Sequence, residues 1–260
     1  MPRVPKTEAA RPILRSRKTA EDSREQLIEA AIEVIGRKGL SRTTLADVAA
    51  KAGIGYGNVT FRFKTKAALL LAALRKVSDE YMDCREEAAA AVADGAAAER
   101  IDAMIVASFS RRVTSQKKIA LWHAFLSERH IHSDYRTLFA QLRAREYNLT
   151  KATFEEIVAA EPTKRADAHL AAVGLNALIE GLWFNMRSVP NPLAPGEAQH
   201  IARVFLASLF PVGFGEILAR SQRQEVAFAA QVNSRDSVVS ETELPELATA
   251  SGARKRGRAL

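Results

Sequence analysis

Between positions 56 and 66 the chain sets out Tyr56, Asn58, Thr60, Phe61, Arg62 and Lys66. A phenol, an amide, a hydroxyl, an apolar ring, a guanidinium and an ammonium are the groups that touch base edges, thymine methyls and phosphates. They are not the nucleophile, base and orienting acid of covalent catalysis, and no such trio can be grouped anywhere along the chain. A second set lies downstream: Trp122, Phe125 and Trp183, with Glu180. Ring faces beside an acid suit a quaternary ammonium, which carries charge but offers no ordinary hydrogen bond. Aromatics at helical spacing also suit plain core packing, and both readings stand at this point. His130, His132 and Asp134 are spaced for a solvated turn, not for a metal site on one helix face. Gly53-Ile54-Gly55-Tyr56-Gly57 follows no strand and lacks phosphate-loop spacing, so no nucleotide or other cofactor is expected.

These groups need helices to position them, and helical periodicity runs almost throughout. Leu27, Ile28, Ala31, Ile32, Val34 and Ile35 mark one face of a helix over about 22–38, stopped by Gly39. Thr44 with Asp47 three residues later is a capping-box start for a short helix over 44–52, ended at Gly53. A second short helix follows over about 56–63, and a long one over 66–91. Further helices are expected at 97–112, 116–130, 134–160, 164–187 and 196–210, punctuated by Pro162, the Pro190/Pro192/Pro195 group and Pro211. No segment alternates like a strand, so the fold class is all-α. Two short helices joined around Gly53-Ile54-Gly55 have the layout of a helix-turn-helix, whose second helix enters the major groove. Leu45, Val48, Ala49, Ile54, Val59 and Phe63 would then pack the pair on the 22–38 helix, leaving Tyr56, Asn58, Thr60, Phe61 and Arg62 outward. For Tyr56, base contact and simple surface packing stand side by side.

Charge agrees with this placement. The chain of 260 residues has a net charge of +8, but residues 1–77 hold 16 Lys/Arg against 7 Asp/Glu. Residues 254–260 add four cations, and the stretch between, 78–253, nets −5. A basic head on an acidic body is the footprint of a polyanion-binding module joined to a module with another task. The single cysteine, Cys84, excludes an intramolecular disulfide framework and multi-cysteine metal sites. With no apolar run of about 20 residues for a membrane span and no signal-peptide pattern, a cytoplasmic protein is expected. Lys66 carries a further hint: it opens a helix, where the dipole disfavours a cation, and a phosphate partner would remove that conflict.

The run from Thr43 to Leu70, TTLADVAAKAGIGYGNVTFRFKTKAALL, resembles the DNA-binding signature of the TetR family of regulators over about 22–82. The resemblance implies that Thr43 and Thr44 touch phosphate, that Gly55 and Gly57 sit at the reading-helix start, and that Tyr56, Asn58 and Thr60 face bases while Lys66 holds phosphate. Family members usually carry His or Tyr at 61 and Tyr at 62; Phe61 and Arg62 depart from that, which shifts the expected operator toward a thymine methyl and a charged phosphate contact. The organisation implied is a basic flexible arm at 1–21, the helix-turn-helix domain at 22–82, a ligand-binding and dimerisation bundle at 83–220, and a partly disordered tail at 221–260.

Over about 100–210 the chain has a patchier similarity to choline-responsive repressors of the betaine pathway, carried by Trp122-His123-Ala124-Phe125, Arg145-Glu146-Tyr147-Asn148-Leu149 and Leu178-Ile179-Glu180-Gly181-Leu182-Trp183. Trp122, Phe125, Glu180 and Trp183 are the pocket candidates. Leu175, Leu178, Ile179, Leu182, Trp183, Ile201, Val204, Phe205 and Leu209 would suit a four-helix interface with a second copy, or intramolecular core. The expectation is a homodimeric, non-enzymatic repressor that binds a palindromic double-stranded DNA operator and is released by a small-molecule effector. An activator, an efflux regulator, and a helical enzyme or carrier with an incidental basic head are the alternatives.

Overall fold

The computed structural model describes residues 11–92, 97–128, 133–161, 166–188 and 191–224. Its helices are α1 (Arg11–Lys38), α2 (Leu45–Ala52), α3 (Tyr56–Arg62), α4 (Lys66–Ala90), α5 (Ala97–Ser108), α6 (Gln116–Glu128), α7 (Ser133–Ala160), α8 (Ala168–Ser188) and α9 (Pro195–Leu209); residues 211–224 are helical as well, so the expected tail at 221–260 is helical in its first four residues. No strand occurs among the described residues, and the protein is all-α as its periodicity predicts. Helices α1 to α9 lie in one compact unit, Met1–Leu218, and a second unit begins at Ala219. The basic C-terminal cluster, the tail beyond residue 224, and His130 and His132 lie outside the described residues.

Helix α1 starts at Arg11, well before the expected start near 22. Pro12 is no obstacle there, because a first-turn amide has no helical acceptor to lose. The expected flexible arm of 1–21 is therefore helical from Arg11, and residues 1–10 are not described. Apolar residues of α1, among them Leu27, Ala31, Ile32 and Ile35, are buried, and the helix packs on α2, α4 and α6.

Helix α2 has the full capping box. Thr44 Oγ1 accepts from the Asp47 amide at 3.1 Å, and Asp47 Oδ2 accepts from the Thr44 amide at 3.1 Å. Its end is enforced by Gly53 at φ 65°, ψ 26°, a left-handed conformation that costs glycine nothing and other residues about 1–2 kcal/mol. Helix α4 opens on Thr65, whose side chain accepts from the Ala68 amide at 3.1 Å, and runs unbroken past residue 82, where the boundary between head and body is expected. The basic head and the acidic body thus share one helix.

Candidate nucleic-acid interface and ligand cavity

On α3, Val59 is fully buried against the head, and Phe63 just beyond the helix is 4% exposed. The other face is open: Tyr56 is 55% exposed and Phe61 81%, with Gly55, Gly57 and Asn58 also exposed and Thr60 and Arg62 partly so. A Cβ at Gly55 or Gly57 would meet nothing within 4 Å, so the protein's own packing does not require glycine at either. Thr60 Oγ1 donates to the carbonyls of Gly57 at 3.1 Å and Tyr56 at 3.3 Å. Its proton is used within the helix, and the oxygen is left to accept.

Of the expected phosphate contacts, Thr44 is exposed, and its oxygen, accepting from Asp47, keeps a proton to donate. Thr43 differs. It is 1% exposed, and its hydroxyl donates to the Gly39 carbonyl at 2.8 Å. It closes the turn between α1 and α2 and has no surface from which to reach a phosphate. Lys66 Nζ donates to the Ser41 carbonyl at 2.9 Å. That bond already eases the dipole conflict at the start of α4, and the ammonium retains two further protons.

In the body, Val77, Tyr81, Val113, Lys118, Trp122 and Trp183, with Ile119, line a cavity of about 20 Å³. That is room for a water rather than for an organic cation. Its rings stand nearly at right angles: Trp122 to Trp183 at 89° with centroids 6.2 Å apart, and Tyr81 to Trp183 at 76° and 5.0 Å. Of the four pocket candidates, two meet here. Phe125 is fully buried against Tyr135, with centroids 5.0 Å apart, and does not line the cavity. Glu180 also lies outside the lining and is ion-paired with Arg143. Its charge is therefore already answered. The third wall is Tyr81 of α4, absent from the sequence candidates. The signal that marks it is its place on the apolar face of α4 four residues before Arg85.

Arg85 is completely buried. Its Nη1 donates to Tyr81 Oη at 2.6 Å and Glu146 Oε1 at 3.0 Å, and its Nη2 to Thr150 Oγ1 at 2.9 Å. Tyr81 in turn donates to Glu146 Oε1 at 2.6 Å, and Arg143 to Glu146 Oε2 at 2.9 Å. Burial pushes the Tyr81 phenol far up, so it stays a donor. Removing Glu146 costs about 3–5 kcal/mol, since the Arg85 charge is left buried without its carboxylate. Tyr81 belongs both to this cluster and to the cavity wall. A second ionic junction joins α1, α4 and α6: Lys76 pairs with Glu25, with Glu29 at 3.5 Å and with Glu80 at 3.0 Å, and Lys118 pairs with Glu80. Burial raises the Glu80 pKa, but the hydrogen bonds from Lys118 and Lys76 outweigh it and the net direction is down. Among the described residues no group of three or more His, Cys, Asp or Glu could hold a metal ion, and no helix is long and apolar enough to cross a membrane.

A capped α2, a left-handed glycine turn and a short α3 with an open polar face, carried on a helical body, define a helix-turn-helix DNA-binding regulator. Residues 27–73 match the model of bacterial regulatory proteins of the tetR family, and residues 96–211 that of the BetI-type transcriptional repressor C-terminal domain. The HTH-type transcriptional regulator BetI of Escherichia coli is 30% identical over 189 residues, 72% of this chain and 94% of that protein. The chain belongs to the TetR family of transcriptional regulators, which are not enzymes. Among solved structures, a transcriptional regulator from Pseudomonas aeruginosa superposes with a TM-score of 0.65 at 24% identity, covering 72% of this chain and 90% of its own. Another, from Saccharomonospora viridis in complex with choline, gives a TM-score of 0.64 at 20% identity over 72% and 96% of the two chains.

Proposed function

We propose that the protein is a homodimeric repressor that holds a palindromic operator and releases it when a quaternary ammonium ion, of which choline is the type, enters the cavity walled by Tyr81, Trp122 and Trp183. It acts in the cytoplasm, where its DNA lies. The observation that carries the reading is the course of α4. Lys66 at its start bonds the turn before α2, and Val77 and Tyr81 further along line the cavity. A ligand that wedges the rings apart displaces the same helix that follows α3 in the chain and bonds the turn before α2. The choline in the Saccharomonospora viridis relative supports the ligand class; the perpendicular ring faces support it on physical grounds. The cavity must widen to admit such an ion, so the liganded state differs in shape from the free one. The ligand shifts the equilibrium by its differential affinity for the two states.

On DNA, α3 of each copy lies in successive major grooves about 34–36 Å apart. Tyr56, Asn58, Thr60 and Phe61 face bases, with Gly55 and Gly57 allowing close approach, while Thr44, Arg62 and Lys66 hold phosphate. The test is a mobility-shift titration on the DNA upstream of the protein's own gene. The expected result is a salt-sensitive complex that choline dissolves and that Arg62→Ala or Lys66→Ala weakens, each lowering the salt slope by about one. A complex untouched by choline would remove the effector from this reading, and the lack of any complex would remove the operator.

A further inference from the structure

One residue of the cavity wall, Trp122, carries a polar group that its neighbours leave unanswered. Trp122 is 5% exposed, and its indole Nε1–H is buried with no acceptor among the described residues. The other indole in the wall, Trp183, is not in this position: its Nε1–H donates to the Ser108 carbonyl at 3.0 Å. An indole nitrogen can only donate. Leaving a donor buried and unmade costs about 1–3 kcal/mol, so such a group in a cavity wall counts against purely apolar contents. The remaining polar groups do not compete for the role. Tyr81 Oη is committed to Glu146 and Arg85, and Lys118 Nζ to Glu80 and to the Arg112 carbonyl at 2.6 Å. The residues of the wall therefore combine three aromatic rings, whose faces attract a cation, with one unpartnered donor, which attracts oxygen.

We infer that Trp122 Nε1–H selects, among quaternary ammonium ions, those that carry an oxygen acceptor beside the cation. The inference rests on the cation-cage reading above and adds to it a second requirement. Ring faces alone hold tetramethylammonium as well as any larger quaternary ion. Trp122 makes the cavity favour an ion with a hydroxyl or carboxylate, because only that ligand completes the hydrogen bonding of the wall. Trp122 thus has two duties: its face meets the charge and its edge meets the oxygen.

The chain has two tryptophans, so protein labelled with ¹⁵N-tryptophan gives two indole signals, and the wild-type protein suffices for the direct test. The probes are choline, glycine betaine, tetramethylammonium and the neutral 3,3-dimethylbutan-1-ol. Choline or betaine should move the Trp122 indole proton downfield, while the Trp183 proton keeps its bond to Ser108; tetramethylammonium should bind without that shift. By calorimetry the better oxygenated ion should bind about tenfold more tightly than tetramethylammonium, the worth of one hydrogen bond to a buried donor. Trp122→Phe keeps a ring face, removes the donor, and should level the two. Which of choline and betaine binds better tells a hydroxyl from a carboxylate acceptor. Equal affinity for tetramethylammonium and both oxygenated ions in the wild type, or a preference that survives in Trp122→Phe, overturns the inference. If the neutral alcohol matches choline and loses affinity in Trp122→Phe, the donor stands and the cation cage falls. If none of the four probes binds, both fall.

Discussion

Phe61 is the most exposed large apolar side chain of the described residues, and at that position water is a poor partner for a ring. Its neighbours on α3 give it a role. Val59 is buried behind it, so the helix cannot rotate to hide the ring without exposing the core. We predict that Phe61 packs on a thymine methyl in the bound half-site. Replacing that thymine by uracil removes one methyl and should weaken binding about fourfold per contact, from ~0.8 kcal/mol per buried carbon. Phe61→Ala should bind thymine and uracil operators equally, and a uracil penalty that persists in Phe61→Ala would remove Phe61 from base reading. At this scale residue chemistry was partly legible. Thr44 caps α2 as its type predicts, Lys66 opens α4 where the sequence places it against the preference of its charge, and Tyr56, Asn58 and Phe61 are open. Thr43 was not legible, because its type fits a phosphate contact as well as it fits a turn, and only the 2.8 Å bond to Gly39 decides. Nor was Glu180, whose charge is spent on Arg143 thirty-seven positions away. A partner at that range leaves no mark on local spacing.

The periodicity of the sequence located the helices to within a few residues, apart from α1 and the helical residues 211–224 that follow Phe210, because each stop is a local event: a glycine at positive φ, a proline, a capping hydroxyl. Which helix faces which is not local, and the join of head to body lies there. Helix α1 crosses α6 so closely that a Cβ at Gly36 would stand 3.0 Å from both Cα and Cβ of Lys117. That contact is backbone and cannot swing away as a side-chain tip would. The same crossing is flanked by the Lys76–Glu80–Lys118 ion pairs and by Lys117 with Glu33 at 3.5 Å. We predict that Gly36→Ala forces the two helices apart and costs about 1–3 kcal/mol, the range for overpacking. A chemical-denaturation midpoint measures that loss. Because α1 carries the packing surface of α2, the same variant should alter the DNA affinity of the ligand-free protein while leaving α3 chemically intact. A midpoint equal to wild type would mean that the crossing is looser than its geometry indicates.

At the scale of the whole molecule, five of the nine large apolar side chains exposed among the described residues lie on α8 and α9. On α8, Leu170, Val173 and Phe184 are 58%, 46% and 53% exposed, and with exposed Ala177 and Gly181 they fall at helical spacing on one face. On α9, Ile201 and Val204 are 37% and 45% exposed, and α8 packs on α9. Leu175, Ile179, Leu182 and Trp183, offered by the sequence for the same interface, are 5% exposed or less and form this chain's own core. Periodicity marks an apolar stripe but cannot say which of two stripes on one helix turns inward. The outward stripe is self-complementary in kind, two apolar helices with small residues at their centre, and in the proposed dimer a second copy related by a two-fold axis would cover it with the same surface. Two reading helices on one face of DNA require that arrangement. We predict that Phe184→Glu, which would bring like charges toward the axis, shifts the protein from dimer to monomer in sedimentation and weakens operator binding by at least tenfold, since one head then bears the whole contact. Helicity by circular dichroism should remain near wild type, because Phe184 lies outside the core. Val204→Glu, on the other helix of the face, should act in the same direction. A Phe184→Glu protein that sediments as a dimer with unchanged operator affinity would place the dimer axis elsewhere on the body.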